Sequence, residues 1–349
     1  MHLKIFDENI DIERFNPKLV NKIMKILVTG GAGYIGSHVV KHLGERGDYG
    51  LTIIDNLSTG HEQAVLYGTL IKCDLFDLNK VRDILIEKKF DAIIHFAASI
   101  VVPESVENPL KYFINNTVNT TNLIQTAIET GVKYFIFSST AAVYGEVRNN
   151  PVKETDPTEP INPYGMSKLM VENILHYASL ANPSFCHGIL RYFNVAGADV
   201  TGRLGQSFPN ATHLIKVAAE TALGKRKSIS IFGDDFPTTD GTGIRDYIHV
   251  DDLADAHIVL LEYMVDKKKS DIFNCGYNKG FSVKEVIETM KKVSGVDFDV
   301  KLEARRLGDP AELIADNKKI LNSLNWMPKS NDLELICKTA LEWEKNRKY

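Results

Sequence analysis

The stretch Thr29-Gly30-Gly31-Ala32-Gly33-Tyr34-Ile35-Gly36-Ser37-His38 decides the fold. It follows the apolar run Ile26 to Thr29 and opens a helical pattern that reaches about Arg46. A strand, a glycine turn and a helix N-terminus in that order make an anion site. Glycines let the backbone approach a pyrophosphate without interference from Cβ, and the free N–H groups of the first helical turn favour negative charge. Gly30, Gly33 and Gly36 are spaced Gly-x-x-Gly-x-x-Gly, one residue wider than the commoner Gly-x-Gly-x-x-Gly. A lone glycine cluster is usually a plain turn; after a first strand it predicts a bound dinucleotide. Asp55 ends the next apolar run, about 20 residues past Gly36, where a carboxylate accepts hydrogen bonds from adenosine ribose hydroxyls and repels a 2′-phosphate. That argues for NAD over NADP, against the plainer reading of Asp55 as a strand-end turn residue.

Outward from this turn, short apolar runs alternate with longer helical patterns: Leu51 to Ile54, Leu70 to Cys73, Ala92 to Phe96, Phe135 to Phe137 and Gly188 to Leu190. Strands that are apolar throughout and separated by helices predict a parallel sheet covered on both faces. The expected fold class is α/β, a doubly wound parallel Rossmann-type sheet with a smaller C-terminal lobe interleaved in sequence. Residues 24–191 read as the dinucleotide-binding domain and 192–349 as mainly the second lobe, with segments at about 232–270 returning to the first. Residues 1–23 carry no clear period and read as an N-terminal extension. Helical patterns return at 250–264, 282–293 and 332–345.

Composition narrows the function classes. The 349 residues are 44% hydrophobic and 25% charged, with 24 Gly and 12 Pro, which excludes fibrous and disordered chains. With 41 basic against 45 acidic residues there is no extended basic field for a phosphate backbone, so no nucleic-acid partner is expected. Cys73, Cys186, Cys275 and Cys337 fit neither a zinc spacing nor a disulfide framework, and read as reduced cytoplasmic thiols with no metal site. No apolar run approaches the roughly 18 residues of a membrane span, and the N-terminus lacks the pattern of a secretion signal.

Asn162-Pro163-Tyr164-Gly165-Met166-Ser167-Lys168 reads as a helix start, which puts Tyr164 and Lys168 on one helical face. A phenol of pKa about 10 is a poor base near neutrality, but a nearby ammonium and a positive nicotinamide ring favour the phenolate. Lowering it by roughly 3 units takes about 4 kcal/mol of differential stabilisation, plausible from two cations in a partly desolvated pocket. Tyr-x-x-x-Lys alone is a weak signal. Its weight comes from sitting just beyond a fifth strand that ends in Ser138-Ser139-Thr140.

These residues, with Asp55-Asn56-Leu57, His95 to Ser105, Ser138 to Gly145, Arg191 to Asn194 and Asp240 to Asp252, resemble the extended short-chain dehydrogenase/reductase superfamily and, within it, the nucleotide-sugar 4-epimerases. The resemblance runs from about Lys25 to the last helical pattern. It implies NAD held by Gly30, Gly33, Tyr34, Ile35, Gly36, Asp55, Asn56, Leu57, Ser58, Thr59, Gly60, Asp74, Leu75, Phe96, Ala97, Ala98, Asn115, Lys168 and Phe193. It also implies a UDP-hexose substrate. Tyr164 is then the acid/base at the sugar 4-hydroxyl, Lys168 anchors the nicotinamide ribose and tunes Tyr164, and Thr140 shares the hydroxyl hydrogen bond.

By the same resemblance Asn194, His213, Leu214, Phe232, Arg245, Arg306 and Asp309 hold the nucleotide diphosphate, with Phe232 near the uracil and Asp309 on the ribose. Forked guanidinium donors suit phosphate oxygens. Relatives that dehydrate carry an Asp-Glu pair where this chain has Ala141 and Ala142, and decarboxylating relatives a Glu in place of Ala142. Leu313 stands where some relatives place a bulky Tyr that narrows the sugar pocket, so N-acetylated UDP-hexoses are also expected as substrates. Ile100 stands where some relatives place a Lys near the cofactor. The family pairs through two helices, here near Pro109 to Thr130 and Pro163 to Leu180, so a homodimer is expected. Two other readings stay open: an oxidoreductase that releases NADH and a keto sugar, and a catalytically silent NAD-binding protein.

Overall fold

The structure, a computed structural model, describes residues 23–209, 211–306 and 309–349; apart from Ile23, the N-terminal extension lies outside the described residues. In chain order the strands are β1 (Met24–Thr29), β2 (Tyr49–Asp55), β3 (Thr69–Lys72), β4 (Ala92–His95), β5 (Tyr134–Thr140), β6 (Cys186–Tyr192), β7 (Asn194–Ala196), β8 (Ile229–Phe232), β9 (Ile244–His249), β10 (Asp271–Cys275), β11 (Gly280–Ser282), β12 (Val300–Glu303) and β13 (Glu312–Leu313). The helices are α1 (Tyr34–Arg46), α2 (Leu78–Lys88), α3 (Val102–Glu107), α4 (Pro109–Tyr112), α5 (Asn119–Glu129), α6 (Pro163–Ala181), α7 (Leu214–Ala222), α8 (Val250–Lys267), α9 (Val283–Ser294), α10 (Lys318–Ser323) and α11 (Leu333–Lys345).

Seven parallel strands form the main sheet in the order β3-β2-β1-β4-β5-β6-β10. Strand alternation sends Ile26, Val28 and Ile136 to one face, where they meet Val39, Val40 and Leu43 of α1 and Ile258 and Leu261 of α8. Leu27, Ile93, Phe135 and Phe137 face the other way, onto Leu85 of α2, Leu123 and Ile124 of α5 and Val171 and Leu175 of α6. The expected doubly wound fold is therefore present. Its seventh strand, β10, and the α8 helix that precedes it come from residues 250–275. The segment just before them contributes to smaller sheets: β11-β9-β13 with β7 beside β9, and β12 beside β8.

Local chemistry sets the element ends. Helix α1 stops at Gly47, which takes the left-handed conformation (φ 75°) that closes a helix without a Cβ penalty. Asn162 caps α6 by accepting from the Gly165 N–H, with Pro163 at the first helical position. Helix α9 starts with a reciprocal Ser282/Glu285 capping box. Between α4 and α5 the helix widens into a π turn, Phe113–Val118, a form that often marks a functional position. Among the described residues no helix is long and apolar enough to cross a membrane.

Candidate active site

Because the main sheet is parallel, the carboxyl ends of its strands lie along one edge. The chain runs from β1 outward to β2 and β3, then crosses back to β4, so a crevice opens beside β1, where open α/β sheets bind ligands. Gly30 follows β1 at φ 71°, and a Cβ there would sit 2.6 Å from the Ala97 backbone nitrogen. At Gly36 a Cβ would lie 2.3 Å from the Gly30 carbonyl oxygen. These glycines are required by close approach of backbone to backbone. Helix α1 begins at Tyr34 with no side-chain cap and no acid in its first turn, which leaves its leading N–H groups for an anion. This cradle fits the pyrophosphate of NAD.

The adenosine side is built from the ends of β2 and β3. Asp55 is nearly buried; its carboxylate accepts from the Ala32 N–H at 3.0 Å and the Leu57 N–H at 2.8 Å. Burial raises its pKa, and these two backbone donors work against the rise. Leu57 sits in the left-handed region at φ 59°, a strained conformation for a branched residue. Asn56 donates to Asp74 at 2.7 Å and its own oxygen accepts from the Ser58 N–H. The loop through Thr59 returns at Gly60, where a Cβ would come within 2.9 Å of the Ala32 backbone. Leu75 is buried, whereas Ile100 is exposed.

Beyond β4, Phe96 packs its ring against His257 at 4.8 Å, and Ala97 and Ala98 follow. Tyr34 donates its hydroxyl to the Gly197 carbonyl at 2.6 Å, and Ile35 packs into the core. Asn115 lies in the π turn and donates to Ser99 Oγ at 3.0 Å. Its neighbour Asn116, absent from the sequence reading, is the buried one. Asn116 accepts from the Ser99 N–H, donates to the Ser99 carbonyl, and donates to Ser167 Oγ on α6. It thus ties the loop after β4 to the helix that carries Tyr164 and Lys168. An Asn-Asn pair in an otherwise amphipathic helix was the available signal.

Tyr164 and Lys168 meet Thr140 at the end of β5. The Thr140 hydroxyl accepts from the Ala142 N–H at 3.1 Å and lies near enough to the Tyr164 phenol to favour its deprotonated form. Lys168 is buried, donates to the Ser138 carbonyl at 2.9 Å and lies 4.8 Å over the Phe137 ring. Burial pushes the Tyr164 phenol up, with Thr140 opposing. Burial also pulls the Lys168 ammonium down to about 7, with Glu172 opposing. The chain alone therefore does not lower Tyr164 as the Tyr-Lys spacing led us to expect, because both groups are desolvated together. Glu172 is itself locked: it accepts from Ser139 Oγ and forms a buried ion pair with Arg191 at 2.6 Å.

The substrate-side residues surround the small sheet. Asn194 opens β7, and with His213 and Leu214 it lines a cavity of about 20 Å³. His213 Nδ1 accepts from the Gln206 amide at 2.9 Å. Arg245 on β9 donates to the Ile244 carbonyl and stands 3.8 Å from Asp309. Leu313 on β13 is paired with Arg245 in register and packs with Phe193, Ala141 and Val143. The Arg306 guanidinium lies 3.7 Å over the Phe232 ring, so one face of that ring is covered by the chain's own cation. His249 and Asp246 are structural. His249 caps α8, and Asp246 accepts from the N–H groups of Tyr277, Asn278 and Ala315.

Comparison with known proteins agrees with this geometry. The NAD dependent epimerase/dehydratase family matches residues 26–276. A UDP-glucose 4-epimerase of Azospirillum brasilense is 48% identical over 327 residues, covering 92% of this chain and 92% of its own. The solved UDP-Glc/GlcNAc 4-epimerase of Campylobacter jejuni is 57% identical with a TM-score of 0.82, covering 93% of this chain and 99% of its own. A UDP-glucose 4-epimerase from Bifidobacterium longum, solved with NAD+ and UDP, is 34% identical with a TM-score of 0.87, covering 93% of this chain and 99% of its own. The glycine cradle, the Asp55 carboxylate and the Tyr164–Thr140–Lys168 cluster are thus those of a chain that belongs to the NAD dependent epimerase/dehydratase family.

Proposed function

We propose that the chain interconverts UDP-glucose and UDP-galactose at C4, with NAD held throughout. The observation that carries this reading is the strand end Thr140-Ala141-Ala142 beside Tyr164: a proton carrier for one hydroxyl, with no carboxylates at 141 and 142 for the competing eliminations. Tyr164 takes the O4 proton, and the Thr140 hydroxyl shares the hydrogen bond. Lys168, held on the Ser138 carbonyl, anchors the nicotinamide ribose. When bound, NAD accepts the hydride of C4 and returns it. The 4-keto sugar turns in the pocket between these events, and Tyr164 returns the proton on the opposite face. Because the chain alone raises the Tyr164 phenol, the positive charge that draws off its proton is supplied when the cofactor is loaded. Incubation with UDP-galactose tests the reading: UDP-glucose forms without NADH. NADH growing with turnover supports the oxidoreductase reading instead, and neither product supports a silent binding protein.

Three finer assignments belong to the same reading. Leu313, smaller than the Tyr some relatives carry there, packs against Phe193, which supports acceptance of an N-acetyl group, and the Campylobacter jejuni relative is named for both UDP-Glc and GlcNAc. Silence on UDP-N-acetylglucosamine would end that extension. A homodimer is supported by exposed apolar side chains on the two helices expected to pair: Leu110, Ile114 and Val118 at four-residue spacing, and Met170, Tyr177 and Leu180 on α6. Sedimentation as a monomer at micromolar concentration would refute it. A cytoplasmic setting is supported by four buried, unpaired thiols, and recovery of the native protein outside the cytoplasm would contradict it.

A further inference from the structure

The loop expected on the adenosine side of NAD ends at His61, and what holds His61 lies far away in sequence. On the backbone, the His61 N–H donates to the Ala32 carbonyl at 3.0 Å, which pins the loop's end to the glycine turn. On the side chain, the imidazole faces the ring of Tyr349 at 4.9 Å between centroids. Tyr349 lies in the segment after α11 and in turn meets the Trp343 indole edge-on at 5.2 Å. Trp343 is fixed: it is 3% exposed, its Nε1 donates to the Gln206 carbonyl at 3.2 Å, and Gly205 lies so close that a Cβ would come within 2.3 Å of the indole. Tyr349 therefore sits between an immobile ring and the ring of a loop residue.

We propose that Tyr349 is a positioning residue for the cofactor: by clasping His61 it holds the loop from Asn56 to Gly60 against the glycine turn and so sets how slowly NAD leaves. The proposal rests on the reading that this loop faces the adenosine ribose. The loop's first half is held within itself, through Asp55 to Leu57 and Asn56 to Ser58 and Asp74. Its second half has the His61 backbone bond, the approach of Gly60 to Ala32, and the Tyr349 clasp. For a dinucleotide gripped between loop and turn, release requires that half to swing away, and the ring contact must break for it to do so. A reaction with no net redox change has no need to exchange its cofactor, so a slow exit suits this chemistry.

The test uses holoenzyme and follows NAD appearing in the filtrate after dilution, with kcat at saturating NAD as a second readout. Tyr349→Ala should release NAD roughly fivefold to tenfold faster, the scale of an aromatic pair contact, with kcat at saturating NAD unchanged. Tyr349→Phe, which keeps both ring contacts, should release it as slowly as the native chain. His61→Ala should match Tyr349→Ala and decides the matter on its own should Tyr349→Ala not fold; the double variant should be no faster than either. Native-like retention in Tyr349→Ala or His61→Ala overturns the proposal, as does a Tyr349→Phe variant as leaky as alanine. Asp55→Ala separates the two readings: if it leaks while Tyr349→Ala does not, the loop reading stands and the clasp alone is refuted, and if neither leaks, the loop reading has failed.

Discussion

The two halves of the site are held in different ways. On the cofactor side, fixed backbone does most of the positioning: Gly30 and Gly36 are pressed against neighbouring main chain, Asp55 is held by two N–H groups, and Asn116 locks Ser99 to α6. On the substrate side, side chains expected to bind the nucleotide are engaged with other side chains of the chain. Arg306 covers Phe232, Arg245 faces Asp309, and His213 accepts from Gln206. A group already ordered in its binding geometry loses little entropy when the ligand arrives, whereas a group paired internally must exchange partners. The difference suits the chemistry: one ligand stays through many turnovers, and the other must enter and leave each time.

Predictions follow from removing one side's elements and asking whether the other side notices. The largest effect should come where the two sides meet. Tyr164→Phe keeps the ring and removes the proton carrier, so kcat should fall by about two to four orders of magnitude while bound NAD, read by its absorbance after denaturation, stays at the native level. Retained turnover would displace Tyr164 as the acid/base. Arg245→Ala should raise KM for UDP-hexose by roughly tenfold to a hundredfold, the scale of a charge-assisted hydrogen bond, with NAD content unaltered. An equal loss of NAD would show that the sides are not independent.

Asp55→Ala should weaken NAD by about tenfold and narrow its advantage over NADP, since a carboxylate that accepts from hydroxyls and repels phosphate is gone. Unchanged preference would place the discriminating group elsewhere. The smallest effect concerns the support beneath the glycine turn. His42 on α1 bridges Asp251 at 3.0 Å and Asp255 at 2.9 Å on α8. Burial disfavours its charge, but the two hydrogen bonds outweigh burial and carry its pKa from 6.5 up to about 9. A raised folded-state pKa adds stability that is complete below pH 6.5 and disappears as pH rises through about 9. The Tm gap between the native chain and His42→Gln should accordingly be widest below pH 6.5 and close as pH rises through about 9; a gap independent of pH would mean the imidazole is neutral.

Much of the main sheet was legible because its strands are continuous apolar runs, and the glycine turn because its spacing reports backbone contact. Strand β10 escaped: Asp271-Ile272-Phe273-Asn274-Cys275 is short and broken by two polar residues. Asn274 is tolerated there because it accepts from the Tyr144 hydroxyl and donates to the Val152 carbonyl, partners that periodicity cannot reveal. The Tyr164–Lys168 pair was visible from helical spacing, but not its electrostatics. Those depend on how deeply α6 buries both groups and on the Arg191–Glu172 pair that joins β6 to α6. The Arg306–Phe232 stack was likewise out of reach, since it joins β8 to the loop after β12 and only the fold brings them together.

The measurement that bears most directly on the mechanism follows the C4 hydrogen itself. UDP-galactose carrying deuterium at C4 and carbon-13 in the sugar ring is mixed with unlabelled UDP-galactose, and the UDP-glucose formed is analysed by mass. If one site removes and returns the same hydrogen while the sugar turns, deuterium stays with carbon-13 in every product molecule. Deuterium found in carbon-12 product, or lost from the product altogether, would contradict the account.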